Sequence, residues 1–231
     1  MAQGRDDPTV GFFTANPRCI VPLEEEPQWP RSLRAKVRRG HFRITSDRAF
    51  AGVIDSCAAA SRKHKPEAGE LPGTWINDWI RDFYIQLHAC HLAHSIEAWV
   101  PEGQIAAEAI AQADAPVVDP HETDDLWAES PQPLVRDGGY VLVGGLYGVH
   151  LGAAFFGESM FSRPELGGSD SSKVCLVHLV THLRRRGFDL LDSQIANDHM
   201  VSLGAGTMPL EVYLEKLEVA TARGVAWEWP G

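Results

Sequence analysis

Cysteine is scarce in this chain and unpatterned. Cys19, Cys57, Cys90 and Cys175 form no CxxC pair and no framework spacing, which excludes a disulfide scaffold and fits buried thiols in a reducing compartment. No hydrophobic run is long or uninterrupted enough to span a bilayer, and the first residues, MAQGRDDPTV, lack the charged-then-apolar layout of a signal peptide. A cytoplasmic chain with no membrane partner is therefore expected. Basic residues are in deficit: 21 Lys and Arg against 31 Asp and Glu give a net charge of −10, which argues against wholesale nucleic-acid binding. There is no internal repeat and no low-complexity tract.

Common catalytic signatures are missing as well. His178 and His182 lie four apart, but His178-Leu179-Val180-Thr181-His182 lacks the glutamate of HExxH. His88, His91 and His94 recur every three residues beside Cys90, a spacing that drifts around a helix instead of converging on an ion. No metal site is expected. Ser193, His199 and Asp192 can be assembled into a nucleophilic set, but without a nucleophile elbow that reading rests on proximity in sequence alone.

What the chain does have is material for a core, with 231 residues of which 44% are hydrophobic. Arg18 to Leu23 reads as a short strand, Ser32 to Arg39 as a basic helix stopped by Gly40, His41 to Ile44 as a strand, and Asp47 as the N-cap of a helix through Ala60. After a loop from Ser61 to Pro72, Thr74 caps a helix. Its Trp75, Ile76, Trp79, Ile80, Phe83, Tyr84 and Leu87 recur at helical spacing and are expected to cover a sheet. Ser95 to Trp99, Val141 to Val149, Leu151 to Gly157 and Phe188 to Leu191 read as strands, with a helix from Ser169 to Arg186 before the last. Pro209 opens a helix from Leu210 to Leu217, and Val225 to Trp229 is a terminal tail. This alternation predicts a mixed α/β domain. Between Val100 and Tyr140 many acids accompany the lone base Arg136, the composition of a surface excursion, with one helix from Gly103 to Gln112.

Charge and polarity concentrate in two places. Between Arg31 and Arg48, the bases Arg31, Arg34, Lys36, Arg38, Arg39, Arg43 and Arg48 face one acid, Asp47. Such a patch on an acidic chain admits a polyanion in one orientation, and it is also what a solvated helix face looks like. Farther on, an apolar strand ends in Asp192-Ser193-Gln194 and runs into Asn197-Asp198-His199. Asp192 and Gln194 share strand parity, so both side chains emerge on one face.

The runs VGGLYGV, FFGESMFSR and LLDSQIANDHMVSLGA closely resemble the leucyl/phenylalanyl-tRNA–protein transferase family, and the resemblance extends back through AHSIEAW and TWINDWI to FFTANPRCIVPL. It implies an acetyltransferase-like twisted mixed sheet flanked by helices. It further implies a single domain over residues 1–231, with the acidic stretch at about 101–139 as an insert. The implied enzyme moves Leu, Phe or Met from charged tRNA to the N-terminal α-amine of proteins beginning with Arg or Lys, marking them for degradation. In this frame Asp192 and Gln194 are the catalytic pair, and their place at a strand end suggests that replacing either lowers turnover with little loss of folding. Glu158 and Asn197 bind the acceptor. Trp99, Leu146, Phe155, Met160 and Leu191 line the pocket for the donor side chain and adenosine, and Arg34, Lys36, Arg38 and Arg39 meet tRNA phosphates.

An aminoacyl ester is already activated, so the resemblance implies no cofactor and no metal, with aminoacyl-tRNA as co-substrate. The pyrophosphate loop of coenzyme A acetyltransferases is matched only by Arg184-Arg185-Arg186-Gly187-Phe188-Asp189, which ends in a carboxylate that would repel phosphate. The family's N-terminal region, with a GIFPW-like stretch that walls the aminoacyl-adenosine site, finds no match here. That wall is expected from the insert or a partner chain. Two other readings stay open: another acyl or aminoacyl transferase of this fold with a different amine acceptor, and a non-catalytic protein that binds tRNA or protein N-termini.

Overall fold

The computed structural model describes residues 10–11, 13–25, 27–61, 74–114 and 134–230. Within them one mixed sheet runs in the order β2 (Arg43–Ser46), β3 (Ala93–Pro101), β5 (Tyr140–Leu151), β6 (Ala154–Ser162), β7 (Leu190–Gln194), β1 (Arg18–Val21), β8 (Gly206–Met208), and β4 (Arg136–Asp137) pairs with the start of β5. Strand alternation sends Leu146, Phe155 and Leu191 to a core beneath α1 (Arg31–Arg39) and α5 (Ser171–Arg186). Tyr147 and Phe161 point the other way, under α2 (Phe50–Ser61) and α3 (Asp78–Ala89), and Leu190 points toward α7 (Leu210–Thr221). The short helices α4 (Ala107–Ala113) and α6 (Asp198–Ser202) lie in connections. No helix among the described residues is long and apolar enough to cross a membrane.

The sheet is glycine-tight where β5 meets β6. A Cβ on Gly148 would lie 2.2 Å from the Phe156 carbonyl oxygen, backbone that cannot step aside, so only glycine lets these strands approach.

Several expected elements shift, each for a local reason. Asp47 is not the cap of α2: it has φ 62°, and its carboxylate accepts from the Ser95 N–H and faces His94 Nδ1 at 2.7 Å. The N–H groups of Arg48 and Ala49 go instead to Glu97, across the sheet. Asn77, not Thr74, caps α3 by accepting from the Ile80 N–H, while Thr74 accepts from Ile76. Leu151 ends β5 and Gly152-Ala153 make the hairpin turn, with Gly152 at φ 65°, so the strand expected from Leu151 begins at Ala154 and runs to Ser162. β8 and α6 were not expected at all. The acidic stretch is partly ordered: a 3₁₀ turn (Glu102–Gln104), α4 and β4 are tied together by Arg136, which bonds Glu102 and Asp114. The rest of the stretch, 115–133, lies outside the described residues.

The α3 expectation needs the sharpest correction. Ile76 and Ile80 are buried and Tyr84 packs on the core, but Trp79 is 58% and Phe83 45% exposed. On a helix, residues 80 and 84 share one direction while 79 and 83 lie on a flank about 100° away. The apolar stripe is wider than the sheet beneath it.

Candidate functional site

Strands β6 and β7 are the one parallel pair in the sheet, and their pairing stops at Phe156–Asp192 although both strands continue. Where neighbouring strands part, backbone groups and side chains are released toward a shared opening, the usual place for a site in sheets of this kind. Two β-bulges sit at this point. Tyr147 pairs with Ser159 and Gly148 with Gly157, which leaves Glu158 opposite no residue. Cys19 pairs with Gln194 and Ile20 with Asp192, which leaves Ser193 in the same position on β7. A bulge re-aims the side chains around it, and here two of them aim Glu158 and Gln194 at each other.

Asp192 is 0% exposed. Arg18 grips its carboxylate through Nε at 3.0 and 3.1 Å and Nη2 at 2.6 Å, the Tyr213 hydroxyl donates at 2.7 Å, and the Gln194 N–H donates at 2.7 Å. The Arg18 guanidinium also lies over the Tyr213 ring, 5.2 Å from its centroid. These bonds make one clamp of β1, β7 and α7. Gln194 is held at φ 67°, a left-handed conformation that costs a non-glycine residue of order 1 kcal/mol or more and persists only when its surroundings dictate it.

From that backbone the Gln194 amide reaches across the gap. Its Nε2 donates to the Gly157 carbonyl at 3.1 Å and to Glu158 Oε2 at 2.9 Å. Both amide hydrogens are thereby used, and Oε1 is left as an acceptor with no partner among the described residues. The Tyr84 hydroxyl of α3 lies close enough to Glu158 to help hold its charge. Burial pushes the Glu158 carboxyl above its ordinary range, with Gln194 and Tyr84 pulling the other way and the nearby Asp192 charge adding to the rise. The Tyr147 hydroxyl and Ser193 Oγ are buried and have no partner among the described residues. Beneath them Cys57 is an inert thiol, pushed up to about 12 by burial.

The remaining expected site residues fall in different places. Leu146, Phe155 and Leu191 are buried and Met160 half-buried on the α5 face. Trp99 belongs to the opposite face: it is 1% exposed and its indole N–H donates to Thr45 Oγ1 at 2.7 Å, so it is sealed from any adenine. Phe155 stacks on Trp227 of the C-terminal tail, 5.2 Å between centroids. Asn197 caps α6 by accepting from the Met200 N–H. No hydrogen bond joins Asp192, Ser193 and His199 among the described residues. His88 Nδ1 is 2.8 Å from the Ala93 carbonyl, and burial against the tail lowers His182 to about 4. Among the described residues no group of three or more His, Cys, Asp or Glu is placed to hold a metal ion.

Sequence reasoning missed Arg18, Tyr84 and Tyr213. Arg18 lies 174 residues from Asp192 and is brought there by β1 lying beside β7, while Tyr213, 21 residues on, is brought back by α7. Tyr84 was visible only as one more apolar position of α3.

Comparison with known proteins now bears on this geometry. The family model of leucyl/phenylalanyl-tRNA protein transferase matches residues 20–110 and 135–218. The leucyl/phenylalanyl-tRNA–protein transferase of Maricaulis maris is 38% identical over 220 residues, 95% of this chain and 79% of that protein. The chain belongs to the leucyl/phenylalanyl-tRNA–protein transferase family. It is thus an aminoacyl-tRNA–protein transferase, and its substrates are an aminoacyl-tRNA and a protein. Among solved structures FemX aligns over 94% of this chain and 67% of its own, at 14% identity and a TM-score of 0.49, a likeness too slight to carry an argument. The family match leaves out residues 111–134, within the acidic stretch.

For a transferase of this family the basic helix matters. On α1 Leu33 is buried, while Arg31, Arg34, Arg38 and Arg39 are exposed. Lys36 is not free for phosphate: it bonds Asp170 at 3.0 Å and the Ser169 carbonyl. Arg43 and Arg48 likewise face Asp137. The four exposed arginines remain.

The clamp overturns the expectation that Asp192 can be lost without harm to the fold. Asp192→Ala strands Arg18, the Tyr213 hydroxyl and the Gln194 N–H, and is expected to cost about 3–5 kcal/mol, the usual penalty for breaking a buried pair by removing one partner. Gln194→Ala, at the half-buried end of the network, is expected to cost less than about 1.5 kcal/mol. Denaturant midpoints of both variants check the contrast.

Proposed function

We propose that this transferase moves Leu, Phe or Met from charged tRNA to the α-amine of proteins whose first residue is Arg or Lys, and so marks them for degradation. The observation that carries the proposal is the Gln194–Glu158 contact across the opened strands, with Gln194 Oε1 unused. In the reaction the neutral amine nitrogen attacks the ester carbonyl carbon. The new C–N bond forms, the ester C–O bond breaks, and the amine's proton passes to the departing ribose oxygen. Gln194 is not basic, so it acts by accepting a hydrogen bond from the amine and aiming its lone pair. Asp192, saturated by Arg18, Tyr213 and the Gln194 N–H, orients Gln194 and is not the proton carrier. Glu158 draws in the cationic acceptor and carries the proton, a task suited to a carboxyl that burial raises above its ordinary value. Asn197, beyond the end of β7, belongs to the acceptor side.

Met160, half-buried, meets the donor side chain, with Leu146, Phe155 and Leu191 packed behind it as the apolar backing of the donor pocket. An apolar pocket separates similar side chains by only about 1–3 kcal/mol per methylene, so a loose choice among Leu, Phe and Met is expected. Arg34, Arg38 and Arg39 meet tRNA phosphates. An aminoacyl ester needs no further activation, so the reaction uses neither cofactor nor metal. The acetyltransferase-like fold is proposed on the same feature, a parallel pair that splays beside a long buried helix, within one domain. A cytoplasmic setting is supported by the scarce and unpatterned cysteines, of which Cys19, Cys57 and Cys175 are buried.

Mass spectrometry of an arginine-initiated peptide after incubation with mixed aminoacyl-tRNA tests the reaction, with addition of Leu, Phe or Met at the N-terminus expected and no addition refuting it. In that assay Gln194→Ala is expected to lose about 100-fold in kcat, the scale set by misplacing a reacting group.

Glu158 has a stability signature of its own. Its folded value is raised, so its contribution is fully present below the ordinary glutamate value and is lost as pH rises through the raised one. Glu158→Gln is therefore expected to gain Tm relative to wild type as pH rises from about 4 to about 8, while losing the acid limb of the rate profile. Parallel melting and pH-rate curves show both.

If Arg38 and Arg39 meet phosphates, R38E with R39E weakens tRNA binding and flattens the slope of log affinity against log salt by roughly one unit per lost contact. An unchanged slope places the tRNA elsewhere.

A further inference from the structure

The stacked pair Trp79 and Phe83 has no part in the reaction described so far. Their rings lie parallel, 5.6 Å apart with 2° between planes, on the flank of α3 that turns away from α2. Arg81, on the other flank, is held by Asp55 of α2. Both aromatics stay largely exposed, 58% and 45%, and a preformed aromatic platform of this size loses contact with water only when something apolar is laid on it. The platform is continuous with the reaction centre. Phe83 meets Tyr84 edge to face at 5.8 Å, and the Tyr84 hydroxyl faces Glu158 closely enough for each to shift the other's titration.

We propose that Trp79 and Phe83 form a subsite for the acceptor polypeptide just after its first residue, a surface that grips apolar side chains at its second to fourth positions. The proposal rests on the reading of Glu158 as the acceptor-side carboxylate. With the first residue at Glu158, the two steps of 5.8 and 5.6 Å along Tyr84, Phe83 and Trp79 match the reach of about three extended residues. Charge selects the occupant. Arg81 of this helix is taken up by Asp55 and by the exposed Asp82, so this face offers carboxylate in place of free guanidinium, which suits a cationic N-terminal segment and repels a phosphate backbone. An unfolded N-terminus offers what the platform lacks, apolar side chains free to lie flat on rings.

The test compares two arginine-initiated peptides, one with Leu or Phe at positions two to four and one with glycine there, on wild type and on the Trp79→Ser, Phe83→Ser double variant. Wild type is expected to show a KM about tenfold lower for the apolar peptide, and the variant to lose that preference, as truncation of an aromatic anchor does. A preference that survives in the variant, or is absent from wild type, overturns the subsite. So does a variant whose defect is a raised KM for aminoacyl-tRNA, which would assign the platform to nucleic acid. A wild-type dimer in sedimentation that the variant dissolves would assign it to a second copy of the chain and overturn it likewise. If wild type modifies neither peptide, the acceptor reading itself fails, an outcome separable from the others because no KM ratio then exists.

Discussion

A carboxylate removed from water has to be surrounded by donors, and at Asp192 that requirement organises the C-terminal half of the sheet. β1 lies between β7 and β8 and so delivers Arg18; α7 folds back over the strands and delivers Tyr213 to the same oxygen as Arg18 Nη2; β7 bulges, and the Gln194 N–H turns back onto the other oxygen. Remove any of these and a charge or a donor is left buried without a partner. The strained backbone of Gln194 is the product of this arrangement, and so is the direction of its amide. The residue proposed to aim the amine is thus held by Asp192 and its donors.

The structure contains two other carboxylates handled differently. Glu97 is fully buried and receives only neutral donors, the hydroxyls of Ser95 and Thr45 and the N–H groups of Arg48 and Ala49 at the start of α2. Burial raises it, partly offset by those bonds, and it serves to anchor α2 to the sheet. Glu158 is half-buried at the mouth and holds only an amide and a phenol. Three acids on one sheet thus divide into a fixed anion, a structural acceptor and a group whose proton is negotiable, and neighbours alone set the division.

How much of this was legible in the sequence depended on the range of the interaction. The run ending in Asp192 and Gln194 announced a site because polar residues followed a buried strand, and the bulges' companions Gly157 and Gly148 were visible as glycines. The bulges themselves were not legible, since a count of alternating residues assumes the register that a bulge breaks. Arg18 and Tyr213 were hidden because nothing local marks a partner so far along the chain. Trp79 and Trp99 show a different failure. Periodicity places a side chain around a helix or strand but does not say how wide the underlying surface is, so Trp79 came out exposed, and Trp99 came out sealed where an open stacking face was expected. Composition read residues 101–139 as one acidic excursion, yet the Arg136 bonds to Glu102 and Asp114 stitch its two ends into the sheet.

The place of β1 also sets an order of events. Among the described residues, 18–21 pair with residues 191–194 and 206–208, so β1 waits unpaired until β7 has followed it from the ribosome. Contacts of such long sequence separation are slow to form because the intervening loop must close first. The β2, β3, β5 and β6 part of the sheet can assemble during synthesis, whereas Arg18 can reach Asp192 only after α5 and β7 have emerged. The reaction centre is therefore the last region to become native, and a truncated or stalled chain would carry a folded scaffold with no working site.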